Sequence, residues 1–94
     1  MKTTHIEAKT AGGMSFGACN VDGQKIFRIN PDIPVGDALE HASNLLGIVN
    51  RLTLVSGMDD GNETVTWAAH ELGEMAKAII DDVTTGLLIA GNTP

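Results

Sequence analysis

Cysteine is almost missing from this chain. Cys19 is the single one among 94 residues, which leaves no partner for an internal disulfide and no set for a cysteine-rich zinc site. Tyrosine is absent, and Trp67, Phe16 and Phe27 supply the whole 3 % aromatic share. Bases are scarce too: six Lys and Arg stand against twelve Asp and Glu, for a formal net charge of −6. Phosphate backbones are bound by clustered Lys and Arg, so nucleic acid is not expected as a partner. No stretch reaches the roughly eighteen apolar residues of a membrane span, so no membrane association is expected. The start, Met1-Lys2-Thr3-Thr4-His5-Ile6-Glu7, has no apolar core of a secretory signal. A cytoplasmic location is the expectation.

What is present is enough Leu, Ile, Val, Ala and Met for a core, within an apolar share of 43 %. A chain this short buries only about two-thirds of its unfolded surface, so association is the usual supplement to its stability. Charge divides the chain. Residues 1–34 carry Lys2, Lys9, Lys25 and Arg28 against Glu7, Asp22 and Asp32. Residues 35–90 carry only Arg51 and Lys77 against nine acids. A solvated acidic surface explains that bias without any special partner.

The first fourteen residues show no sustained period and read as a flexible N-terminal arm, with a short extended piece at Thr4–Ala8. Residues 15–90 read as one domain. A β-hairpin is expected over 15–30, where Phe16, Ala18, Ile26, Phe27 and Ile29 flank Asp22-Gly23, a pair suited to a type I′ turn. Asn30-Pro31-Asp32-Ile33-Pro34 stops the second strand, with Asp32 as a candidate helix cap and Pro34 fitting a first helical turn. Apolar residues then recur at three- and four-residue steps, predicting helices over about 34–57 and 63–84. Gly57 is a natural stop for the first, and Asp59-Asp60-Gly61-Asn62 a turn between them. Thr84-Thr85-Gly86 weakens the second helix, and Leu87-Leu88-Ile89-Ala90 either continues it or folds back. Residues 91–94 form a tail.

Projected at about 100° per residue, the second helix has one apolar side centred on Leu72. The first has a wider arc that includes Leu39, Ala42, Leu45, Leu46, Ile48 and Val49, too wide for one neighbouring helix to cover. The expected fold is α+β and mainly α. In it the β-hairpin precedes an antiparallel two-helix hairpin that pairs with a second copy into a dimeric four-helix bundle. Leu39, Ala42, Leu46, Val49, His41 and Trp67 are the expected interface residues. Trp67 lies roughly opposite the core stripe, to be covered either by the arm or hairpin or by another chain.

Candidate chemistry is thin. His70-Glu71-Leu72-Gly73-Glu74 resembles the zinc-protease helix motif, but Glu74 replaces its second histidine. Asp37 and His41 make a similar pair on the first helix, and an antiparallel hairpin separates the two pairs within one chain. His41, within the apolar arc, could render association pH-sensitive. Cys19 reads as a small buried hydrophobe. No serine has a nucleophile-elbow context, and Gly12-Gly13…Gly17 lacks the strand-then-helix setting of a phosphate loop. No catalytic residue, metal or cofactor is expected.

The stretch Ile26-Phe27-Arg28-Ile29-Asn30-Pro31-Asp32-Ile33-Pro34, with Ala38-Leu39-Glu40-His41-Ala42-Ser43-Asn44-Leu45-Leu46 and Trp67-Ala68-Ala69-His70-Glu71-Leu72-Gly73-Glu74-Met75-Ala76-Lys77-Ala78, carries a resemblance. Over residues 25–82 it resembles a small bacterial, largely pseudomonad family of unknown function with an LFxVxxGIP…ALExASxLL…AWAxxxLxEMAKAL-like pattern. Asp32 departs from that pattern, which has glycine there. The resemblance implies a strand followed by two helices and brings no activity, cofactor or catalytic residue. The residues themselves favour a non-enzymatic homodimeric interaction module, a small cytoplasmic regulator with itself and an unidentified protein as partners. The alternative is a metal- or small-ligand-binding protein using Asp37, His41, His70 and Glu74 across a dimer.

Overall fold

The structure, a computed structural model, describes residues 8–58 and 63–92. The turn expected at 59–62, most of the piece at Thr4–Ala8 and the end of the tail lie outside the described residues. Four elements follow in order: β1 (Ser15–Ala18), β2 (Lys25–Arg28), α1 (Val35–Met58) and α2 (Glu63–Gly91). The fold is mixed α+β and mostly helical, with the β-hairpin ahead of two long helices.

The strands pair antiparallel, Ser15 opposite Arg28 and Ala18 opposite Lys25. Phe16 faces Phe27 across the pair, and their rings stack at 5.4 Å. The turn is longer than the type I′ expected from Asp22-Gly23, because only Gly23 has a positive φ (77°). Its N–H donates to the Asn20 carbonyl at 3.0 Å, and the Asn20 side chain accepts the Gln24 N–H at 3.0 Å. Asp32 does not cap α1. It sits in the turn before the helix at φ 67°, in the left-handed region that favours glycine, the residue the resembled pattern has there. The helix itself opens after Pro34, whose carbonyl accepts the Ala38 N–H at 3.1 Å.

The four-residue connection 59–62 makes α1 and α2 antiparallel neighbours. Ala42, Leu45 and Ala76 form the buried centre, with Leu72, Met75 and Ile79 packed around it. Alanine at Ala38, Ala42 and Ala76 keeps the seam narrow. Ala42, expected at an interface between copies, is only 1 % exposed and belongs to this intrachain seam.

The second helix runs past its expected end near residue 84 to Gly91. Its two threonines do not break it, because Thr84 and Thr85 turn their hydroxyls back onto the carbonyls of Ile80 (2.9 Å) and Asp81 (3.3 Å). Gly86 is there for another reason. Residues 8–14, expected as a flexible arm, cross α2 at this point, and a Cβ on Gly86 would fall on the Lys9 carbonyl oxygen.

Packing joins α1 to α2, α2 to β1 and β1 to β2 in a single row. The result is a slab of 55 × 37 × 14 Å with a radius of gyration of 16.3 Å, against about 12 Å for a compact chain of this length. Two glycines separate the crossing from ordinary helix propensity. Gly47→Ala, with nothing within 4 Å of its Cβ position, gains about 0.5–1 kcal/mol. Gly86→Ala loses about 1–3 kcal/mol as the arm is pushed off. Urea unfolding of both variants checks the opposite signs.

Candidate functional site

A dense polar arrangement lies where the arm meets α2. Asp82 is fully buried, and its carboxylate accepts three consecutive backbone N–H groups: Gly12 at 2.9 Å, Gly13 at 2.8 Å and Met14 at 2.9 Å. Burial pushes the carboxyl pKa up, but the backbone donors outweigh it and hold the group below its ordinary value. Thr10 locks the other side of the arm. Its N–H donates to the Ile33 carbonyl (2.8 Å), and its hydroxyl donates to Asn30 O (2.6 Å) while accepting the Ile33 N–H (3.1 Å). Val35 N–H reaches Ala8 O and Ile29 N–H reaches Met14 O, so the arm is stitched from the start of α1 to the hairpin.

Sequence reasoning missed this centre. Asp82 read as one more acid on an acidic helix, although it flanks the apolar arc. The signal available was its pairing with Gly12-Gly13, whose backbone can approach a carboxylate closely. Chemically the arrangement is a clamp: a solvent-inaccessible carboxylate holds three backbone donors of the arm.

The carboxylate–histidine pairs stay apart. Asp37 and His41 begin α1, whereas His70 lies toward the opposite end of the helical hairpin and Glu74 near the middle of α2. All four are exposed. Among the described residues, no group of three or more His, Cys, Asp or Glu side chains converges to hold a metal. Cys19 follows β1 and is exposed, a correction to its reading as a buried hydrophobe. It falls at the hairpin turn, where nothing packs over it.

The expected interface residues separate into three places. Leu39 and Leu46 remain 40 % and 41 % exposed along α1, one helical heptad apart. Val49 is half-buried beside the seam, Ala42 lies within it, and His41 stands in solvent rather than in an apolar surface. Trp67 is 64 % exposed. Neither the arm nor the hairpin covers it, since the arm crosses α2 at Asp82 and Gly86 and the hairpin meets α2 from Glu74 onward. The indole meets the His70 ring edge-on at 5.9 Å, beside a shallow hollow bounded by Thr66. Ile80 and Leu87 on α2 are also open to solvent, and the sequence reading did not single them out.

Removal of the clamp gives a direct test. Asp82→Ala removes the acceptor of three partly buried donors and costs about 1–3 kcal/mol. Because the folded pKa lies below the ordinary value of 3.8, the clamp contributes fully above that value and is lost as pH falls through the lower folded one. Urea midpoints measured down the acid range show this loss in the parent chain, and Asp82→Ala flattens it.

No curated protein and no solved structure matches this chain. A family match covers residues 10–86, so Asp82 and the three backbone N–H groups it accepts fall inside it, while Lys9, which faces Gly86, lies just before it. The chain belongs to DUF3077, a family described as a protein of unknown function.

Proposed function

We propose that this chain is a non-enzymatic, homodimeric protein-interaction module, a small cytoplasmic regulator that acts by binding another protein. The observation that carries the reading is the amount of large apolar surface left on a one-layer fold. Leu39, Leu46, Ile80 and Leu87 are each more than a third exposed, beside a seam made largely of alanine. Domains ordinarily cover such residues with a second layer. A two-fold partner that supplies that layer from its own helices gives a four-helix bundle.

Trp67 has a different part in this reading. It lies away from the α1–α2 seam, on the solvent side of α2, and serves as the anchor for the second protein. The acidic exposed residues around it, Glu63, Glu71 and Glu74, favour a partner that is not itself acidic. A cytoplasmic setting agrees with an exposed, unpaired Cys19.

Absolute mass by light scattering, over a range of concentrations, tests the dimer. The expected value is twice the 9.8 kDa chain mass, and a chain that stays at the single mass throughout contradicts it. Trp67→Ala is expected to keep the doubled mass, because the indole is assigned to the other partner.

A further inference from the structure

The two broad faces of the slab differ. Helical geometry places Leu39 and Leu46 of α1 on the same side of the hairpin as Ile80 and Leu87 of α2. Both pairs are spaced by seven residues, and Gly73, seven before Ile80, has nothing within 4 Å of its Cβ position. The positions between them on α1 and α2 hold Ser, Asn, Thr, Ala and Gly, and no charged residue falls on the centre of this side. The opposite side carries Asp37, His41, Arg51 and Glu71, and the arm and β1 lie toward it through Asp82 and Ala78.

We infer that the uncharged α1–α2 face, bounded by Leu39, Leu46, Ile80 and Leu87, is the seat of a second copy of this chain. The β-hairpins then point outward from the pair. The inference rests on the homodimer reading and adds which surface closes it.

Three observations favour a second copy as the occupant. The first is area: the accessible surface is 6839 Å², about 1,700 Å² above the roughly 5,200 Å² of a compact monomer of this mass. That excess is spread over both broad faces of the 14 Å slab, and half of it is about the share each partner contributes to a stable interface. The second is size of the footprint. The 24 residues of α1 run about 36 Å, and two adjacent helices are about 20 Å across, close to the roughly 800 Å² per partner of a stable interface. The third is charge. A chain at net −6 repels its own copy wherever the acidic sides of its helices meet, and two copies that meet along this face oppose no like charges at its centre.

Sedimentation equilibrium of single substitutions tests the face. Leu46→Asp and Ile80→Asp are expected to raise the dimer dissociation constant by about a hundredfold or more, since each buries an unpaired carboxylate. Ile26→Asp on β2 and Val55→Asp on α1 are controls. The parent residues are 66 % and 48 % exposed, and Val55 lies on the opposite side of α1 from Leu39 and Leu46, so dimerisation is expected to persist. Circular dichroism confirms that each variant stays helical. Where an Asp variant unfolds, Leu46→Ala and Ile80→Ala take its place, with an expected weakening of about tenfold each. If the parent chain is a dimer and only the control substitutions dissociate it, the face is wrong while the dimer reading stands. If the parent chain itself is monomeric, both fall.

Discussion

The carboxylate of Asp82 holds together two parts of the chain that otherwise touch little. The β-hairpin packs on α2 alone and makes no packing contact with α1, and a two-stranded hairpin is marginal in water without further support. Three backbone N–H groups on one buried carboxylate supply that support at the point where the hairpin begins. Each of these hydrogen bonds has a charged acceptor that is itself buried, which makes it stronger than a bond between neutral groups. Gly86 lets the arm lie close enough to α2 for the clamp to form. Thr10 passes the same constraint to the turn before α1.

With the hairpin fixed beside α2 rather than over the helical seam, the elements stand in one row. That placement decides what remains exposed. A hairpin folded across α1 and α2 would have covered Leu39, Leu46 and Ile80; beside α2 it covers Ala78 and leaves them open. The arm–helix clamp and the open face are therefore two consequences of one placement. The proposed association follows from where the hairpin is held, with no need for a dedicated binding motif.

The helices were legible because three- and four-residue apolar spacing survives in any context, and Asp22-Gly23 and the two prolines punctuated the hairpin well enough to place it. The end of α2 was not legible. Thr84-Thr85-Gly86 reads as a break by propensity, whereas the hydroxyls are absorbed by the carbonyls of Ile80 and Asp81, and Gly86 serves a tertiary crossing. The ordered part of the arm was hidden for a similar reason: residues 8–14 have no periodicity, and their partners are distant along the chain, Asn30 being 20 and Asp82 up to 70 residues away. The wide apolar arc on α1 was visible as an excess. How it divides was not, because Ala42 is taken by the intrachain seam while Leu39 and Leu46 are left out of it. Asp32 at φ 67° is a smaller instance: an aspartate tolerates the left-handed region through its own short polar side chain, so composition read it as a cap instead.

The central claim is that a one-layer chain is completed by a second layer of itself. Small-angle X-ray scattering of the parent protein tests this most directly, because it reports thickness as well as mass. The expected result is a forward intensity of two chains and a particle about twice as deep as the 14 Å slab. A single-chain intensity with the 16.3 Å radius of gyration of the isolated slab would contradict it.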